Sequence, residues 1–361
     1  MRETDTIVSI ITQFQKGSVS VKILAVGDSF VPTHMFEAGL KNLKAEQQIR
    51  CIQLDMDAPF VPATPSEHAI KEFAGNPQQL VDAINGEDIL LVHGAPVTDA
   101  VLDASPRLKI VGVARGGPVN VDLAAARERG ITVITAPARN AEAVADLTLA
   151  FMIMLARGIM SSTAFVANGG RLGESTFEGA QFFGHELGGQ TLGLVGYGNV
   201  GSRVAQRALS FGMSILVYDP YVATTQLTNP GMQPVELEEL LASADFISLH
   251  ARVTAETTNF FNASKFSLMK QEAFFINTAR ETLLDEQALY EALTSKQIAG
   301  AALDVLRPQP EGASSPLLSL PNVIVTPHIG GATYEAAQRG VQILAGQLGQ
   351  YLAGQPMQFA V

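Results

Sequence analysis

The stretch from Thr191 to Pro220 constrains this chain more than any other. Leu192 to Val195 is a short apolar run suited to a buried strand. Gly196, Gly198 and Gly201 follow at once in G-x-G-x-x-G spacing, and Ser202 to Ser210 has the apolar rhythm of a helix. Each glycine has its own task. Gly196 permits the tight turn, Gly198 lets the backbone approach a pyrophosphate, and Gly201 lets the helix pack close to the strand. The phosphates would rest on free N–H groups at the helix N-terminus, where the macrodipole favours an anion. Tyr197, Asn199 and Val200, between the glycines, are therefore cofactor-binding candidates with them.

A glycine triplet alone also fits a simple tight turn. Here, however, a second strand, Ile215 to Tyr218, ends in Asp219, about 20 residues on, where a carboxylate accepts hydrogen bonds from an adenosine ribose. The next residues are Pro220, Tyr221 and Val222, with no arginine to neutralise a 2′-phosphate. The pattern predicts a dinucleotide domain that takes NAD rather than NADP.

A length of 361 residues suggests two domains, and 47% hydrophobic against 16% charged residues allows sizeable cores. The net charge of −11 argues against a nucleic-acid partner, because phosphate backbones need a basic face. It leaves room for a small anionic substrate held by a local cluster of donors. The single cysteine, Cys51, rules out a disulfide framework and a thiolate zinc site, and fits a reducing cytoplasm. The histidines (His34, His68, His93, His185, His250, His328) show no metal-ligand spacing. Ile7 to Ile11 is too short an apolar segment for a signal peptide, and Leu147 to Ala156 reaches only about half a membrane span. No membrane partner is expected.

Ahead of the glycine loop, strand candidates run at Val21 to Val26, Ile49 to Leu54, Ile89 to Val92, Leu108 to Val113 and Ile131 to Ile134. Helical patterns such as Asp122 to Arg129 separate them. Such alternation indicates parallel β-α units. Ala58 to Pro65, with its prolines, reads as a loop, and residues before about 20 form an extension without an assigned role. Asn140 to Arg157 is a long apolar helix leading into a second series: the glycine motif, Phe246 to Leu249, Ala273 to Asn277, Gly300 to Val305 and Val323 to Val325. A final helix spans Tyr334 to Leu352. The predicted fold is α/β: two doubly wound parallel-sheet domains, with a Rossmann dinucleotide domain (139–333) inserted into a flavodoxin-like substrate domain (1–138 and 334–361). The cleft between the domains is the expected substrate site.

Three strand ends beyond the glycine loop carry reactive groups. Asn277-Thr278-Ala279-Arg280 ends one strand, Asp304-Val305-Leu306-Arg307-Pro308-Gln309-Pro310 ends the next, and Thr326-Pro327-His328-Ile329 ends the last. In a parallel sheet these ends share the crevice of the glycine loop, which adds His250, Thr278 and Ala279 to the cofactor-binding candidates. Arginine can hold a carboxylate bidentately, while histidine exchanges an alcohol proton as hydride moves. Alone, Arg280 could be a surface ion pair and His328 a structural histidine. Their joint position behind a dinucleotide loop points to catalysis.

These motifs, with Asn140 to Asp146 and Leu187 to Gly193, resemble the D-isomer-specific 2-hydroxyacid dehydrogenases, the phosphoglycerate dehydrogenase-like family. The similarity covers about Ile89 to Ala337. The resemblance implies that Arg280 binds the substrate carboxylate and carbonyl, that His328 is the acid/base, and that Asp304 holds the nicotinamide amide. It also implies that the loop from Arg115 to Asn120 covers the substrate, and that the Asn140 to Arg157 helix carries a homodimer contact. The plainer reading of that helix is packing inside one chain.

The chain departs from the family in ways that bear on chemistry. Gln309 stands where the family usually has a glutamate paired with the histidine. A carboxylate favours imidazolium, whereas glutamine can orient the ring without adding charge. Carbonyl reduction is therefore expected to weaken above neutrality, and Gln309→Glu to extend it. Glu311 is a less suitable substitute because Pro310 intervenes. Formate dehydrogenases of the superfamily also carry Pro-Gln-Pro here, and their reaction needs no acid/base, so formate oxidation is the alternative activity. A catalytically weak NAD(H)-sensing regulator is a further alternative. Arg115 opens the loop Arg115-Gly116-Gly117-Pro118, where it is expected to grip a second polar or anionic group on the substrate, with Gly116 and Gly117 beside it. Val92-His93-Gly94 lacks the arginine by which phosphoglycerate enzymes recognise phosphate, and Glu281 replaces a usual glycine.

Overall fold

The computed structural model describes residues 20–43, 47–170, 176–223, 225, 227, 229–310 and 312–361. The N-terminal extension and Glu311 lie outside the described residues. The chain divides into two compact units, Met1–Arg139 with Thr333–Val361, and Asn140–Ala332.

The first unit is built on β1 (Lys22–Gly27), β2 (Gln48–Gln53), β3 (Ile89–Val92), β4 (Ile110–Val113) and β5 (Thr132–Thr135), all parallel in the order β2-β1-β3-β4-β5. Successive strand residues point to opposite faces, and both faces are covered. Leu24, Val26, Leu90 and Val92 enter one core. Ile23, Ala25, Ile89 and Leu91 enter the other, against Phe36, Val341, Leu344 and Leu348. The last three come from the helix Tyr334–Leu352, which Thr333 caps by accepting from the Ala336 N–H. The tail then pairs with the β5 edge through Thr135 N–H to Phe359 O and Val361 N–H to Val133 O. This covers backbone groups that an open edge would leave free. Pro65 begins a helix, Pro65–Ala69, rather than ending a loop; Thr64 and Glu67 form its capping box, and proline suits the first helical position.

The second unit holds β6 (Thr191–Val195), β7 (Ser214–Tyr218), β8 (Met232–Pro234), β9 (Phe246–Leu249), β10 (Phe274–Asn277), β11 (Gly300–Leu303) and β12 (Val323–Val325). They are parallel in the order β12-β11-β10-β9-β6-β7-β8. The order reverses at β6, the doubly wound pattern expected from the sequence. Strand β8 has no such sequence signal: it is a short edge strand ending in proline, held by pairing with β7.

The helix Ala141–Ala156 has Asn140 and Arg157 as its caps and buries Val144, Ala145, Thr148, Leu149, Phe151 and Met152 within this unit. Its outer face is tied to the helix Asn199–Ser210 by Glu142 to Arg203 and Arg207, and by Asp146 to Arg207. Much of its apolar character therefore serves packing inside one chain. Among the described residues no single helix is long and apolar enough to cross a membrane.

Candidate functional site: a glycine loop and two strand-end turns

The glycine loop leaves β6 at Gly196, whose φ of +101° is strained for any side chain. A Cβ there would lie 2.7 Å from the His250 carbonyl carbon. At Gly201 a Cβ would stand 2.2 Å from the Gly196 carbonyl oxygen, so the helix could not sit so close. At Gly198, the N-cap of Asn199–Ser210, a Cβ would meet nothing within 4 Å. The protein needs Gly196 and Gly201 for its own packing, but leaves free space beside Gly198 at a helix N-terminus. That combination fits a dinucleotide pyrophosphate.

Asp219 follows β7 and accepts the Tyr197 N–H at 2.7 Å on Oδ2 and the Tyr221 N–H at 2.9 Å on Oδ1. The carboxylate therefore shapes the glycine loop, and each oxygen keeps acceptor capacity for a ribose hydroxyl. Opposite Gly196, the His250 N–H donates to Val195 O, and its ring Nε2 lies 2.9 Å from Ser248 Oγ. Burial holds the His250 pKa down to about 4, so the ring is neutral at physiological pH.

Two of the expected cofactor-binding residues also hold groups of the protein itself. Thr278 Oγ1 lies 3.1 Å from Thr148 Oγ1, which itself donates to Val144 O. The Thr278 hydroxyl must then donate inward, to the helix Ala141–Ala156. Asp304 is almost fully buried, and its carboxylate is already shared among three donors. Oδ1 accepts from Thr326 Oγ1 at 2.5 Å and Ile329 N–H at 2.8 Å, and Oδ2 accepts from Gly330 N–H at 2.7 Å. In this structure it clamps the turn after β12, and Oδ2, with a single donor, keeps acceptor capacity for the nicotinamide amide expected there.

That turn carries His328. The residue has a φ of +57°, uncommon for a side-chain-bearing residue, and its N–H donates to Asp304 O at 3.0 Å. The imidazole is exposed. Arg280 follows β10 in a comparable frame: Asn277 Oδ1 accepts the Ala279 N–H at 2.9 Å, and Asn277 Nδ2 donates to Arg280 O at 3.0 Å. The Arg280 guanidinium is also exposed, with one bond from Nη1 to Ala279 O. The strands that Arg280 and His328 follow, β10 and β12, are separated by β11, so those strands run about 10 Å apart at backbone level. No hydrogen bond joins the two groups among the described residues. Asp304 and Asn277 as turn-setting residues escaped the sequence reading of their roles, although each stands at a strand end.

Gln309 departs from expectation. Its Nε2 donates to Arg307 O at 3.0 Å on the exposed surface, and no hydrogen bond links it to His328 among the described residues. A two-residue local bond has little chain entropy to overcome, which favours it over a distant ring. In the first unit Arg115 is paired: its Nη1 donates to Glu72 O at 2.7 Å and its Nη2 to the Glu72 carboxylate. Its charge is compensated before any substrate arrives. Gly116 and Gly117 beside it face open space. A cavity of about 590 Å³ in this unit is lined by Val21, Asp88, Lys109 and Thr132, at the amino-terminal sheet edge, and holds none of the candidate residues.

The fold and the glycine loop define a doubly wound dinucleotide-binding protein. Residues 149–330 match the family model described as D-isomer specific 2-hydroxyacid dehydrogenase, NAD binding domain. The chain is 40% identical over 280 residues to a D-3-phosphoglycerate dehydrogenase of Methanocaldococcus jannaschii, covering 77% of this chain and 52% of that one. It is 39% identical over 283 residues to a hydroxypyruvate reductase of Thermotoga maritima, covering 77% of this chain and 88% of that protein. Among solved structures, the TT0316 protein of Thermus thermophilus superposes with a TM-score of 0.74 at 32% identity, over 94% of this chain and 99% of the other. The chain spans about half the length of the first curated relatives it matches. It belongs to the D-isomer-specific 2-hydroxyacid dehydrogenase family and carries that family's NAD-binding domain.

Proposed function

We propose that the protein is an NAD-dependent oxidoreductase that interconverts a small 2-hydroxy acid and its 2-keto acid. The observation that supports this most is the paired framing of Arg280 by Asn277 and of His328 by Asp304, on the carboxyl edge that also carries the glycine loop. In this reading Arg280 binds the carboxylate and polarises the carbonyl. His328 gives its Nε2 or Nδ1 proton to the carbonyl oxygen in reduction and takes it back in oxidation. Gly196 to Gly201 and Asp219 would hold the nicotinamide cofactor, which would supply hydride as NADH in reduction and accept it as NAD in oxidation. The test is NADH oxidation with glyoxylate, hydroxypyruvate, pyruvate and phosphorylated keto acids. Turnover that falls at least about a hundredfold in both Arg280→Gln and His328→Gln supports the assignment. NADH binding without turnover on any acid would instead point to a nucleotide-sensing role.

Formate oxidation is a second reading, favoured by Pro308-Gln309-Pro310 and by a Gln309 that bonds to its neighbour Arg307 instead of His328. Formate loses only hydride, so His328→Gln would then spare turnover.

A homodimer in the cytoplasm is also proposed. The helix Ile159–Ala167 buries none of its residues and exposes Met160 and Val166. Such an apolar face fits a subunit contact. Light scattering that gives the monomer mass at working concentration would remove this element.

A further inference from the structure

The first unit contains a chain of titratable side chains that the proposed reaction does not use. Asp28 follows β1, His93 follows β3, and Arg139 lies beyond β5, so all three stand at the carboxyl edge of their sheet. The order β2-β1-β3-β4-β5 reverses between β1 and β3, where Asp28 and His93 sit. In open parallel sheets, ligands bind outside the strand ends at such a reversal.

The contacts run in one direction. Asp28 Oδ1 accepts the Phe30 and Val31 N–H groups, each at 2.8 Å. Its Oδ2 accepts the Gly94 N–H and faces His93 Nδ1, both at 2.9 Å. The carboxylate accepts and the ring must donate, which assigns the proton to Nδ1 and leaves Nε2 as an acceptor. Arg139 Nη2 meets that Nε2 at 3.2 Å. Asn120 Nδ2 donates to His93 O and Ala95 O, fixing the loop that carries the ring. The Arg139 stem lies against helix residue Gly340, where a Cβ would approach its Cδ to 2.9 Å.

This leaves Arg139 as a positioned cation with spare donors. No carboxylate contacts it among the described residues, and its bond to His93 uses one of five N–H groups. Desolvation first, and the neighbouring Arg115 second, pull its pKa down to about 10, so it stays charged at neutral pH. Arg115 is compensated by Glu72, whereas Asp28, the carboxylate whose charge acts on Arg139, lies behind the neutral His93 ring. Burying a cation without an anionic partner is costly, and a fork with free donors is the geometry that matches an oxyanion.

We propose that Arg139, oriented by the Asp28–His93 pair, forms an oxyanion-binding site in the N-terminal unit that takes the carboxylate or phosphate group of a small molecule. It stands apart from the carboxylate role given to Arg280 and does not depend on it.

The test uses the full-length protein saturated with NADH, so that the glycine loop is filled, and histidine ring nitrogens observed by NMR. His93 is assigned from the resonance lost in His93→Gln. Inorganic phosphate and malonate are titrated separately, with chloride at matched ionic strength as control. The expected result is a saturable shift of the His93 signals with one or both oxyanions. Phosphate alone identifies a phosphate monoester as the group recognised, and malonate alone a carboxylate. Arg139→Gln should weaken the response at least about tenfold, and Arg139→Lys, which keeps charge but loses the fork, by a smaller factor. Arg280→Gln should leave the His93 response unchanged while abolishing turnover. If Arg139→Gln does not fold, Arg139→Lys decides alone: wild-type affinity in that variant overturns the proposal. Absence of a saturable His93 shift in the parent protein overturns it as well. A response lost in Arg280→Gln would reassign the oxyanion to Arg280.

Discussion

Asp304 receives the backbone N–H of His328 on its carbonyl oxygen, and with its carboxylate holds the two amides that follow the histidine. One buried residue thus sets both the left-handed turn at His328 and the strand end it leaves. A free carboxylate would be expensive at this depth, and here three donors solvate it.

Asp304→Asn tests that arrangement. The amide has one acceptor oxygen where three donors need two, so a buried N–H is left unpaired. The expected loss is about 1–3 kcal/mol in urea unfolding. Turnover should fall through kcat more than KM, because the displaced group is the proposed proton carrier rather than the proposed carboxylate holder. A kcat within twofold of the parent's would count against a positioning role.

Gly198 separates cofactor binding from folding. Alanine there meets no protein atom within 4 Å, whereas alanine at Gly201 collides with the Gly196 carbonyl. Gly198→Ala should therefore keep the parent Tm yet bind NADH at least about tenfold more weakly. Gly201→Ala should lose both. NADH emission measures the affinity cleanly, since the chain has no tryptophan.

His250 should make the protein acid-sensitive. Its folded pKa is depressed from 6.5 to about 4, chiefly by burial, so the folded state keeps a neutral ring where the unfolded chain takes up a proton. Its contribution is complete above about 6.5 and is lost progressively as pH falls from there to about 4, at most about 3 kcal/mol. His250→Asn should flatten the decline in Tm across that window. An identical decline in parent and variant would show that other groups dominate.

Asn277 should act on substrate affinity. Its side chain bridges Ala279 N–H and Arg280 O, so Asn277→Ala releases the turn that presents the guanidinium. KM for the accepted keto acid is expected to rise about tenfold, with a smaller change in kcat. Asn277→Asp retains the acceptor and should recover part of the loss. Equal KM values in parent and alanine variant would remove Asn277 from the site.

Much of this fold was legible in the chain itself. Ile89–Val92, Phe246–Leu249, Val323–Val325 and the helix Tyr334–Leu352 stand where apolar runs and helical spacing placed them. Period and burial are local properties, written residue by residue. The three glycines were equally readable, because backbone sterics leave few other reasons for that spacing. What a polar side chain bonds to is a different kind of property. Arg115 finds Glu72 43 residues away, and His93 finds Asp28 at a distance of 65. Asp304 directs both oxygens to the turn that follows β12. Gln309 takes a neighbouring carbonyl instead of an imidazole. Strand β8 exists only because β7 offers it an edge. Residue order determined every strand but β8, their sequence along the chain and the cofactor loop. Only the folded chain decided which carboxylates remain available for chemistry, because hydrogen-bond partners are chosen by proximity in space and by the cost of leaving a buried group unpaired.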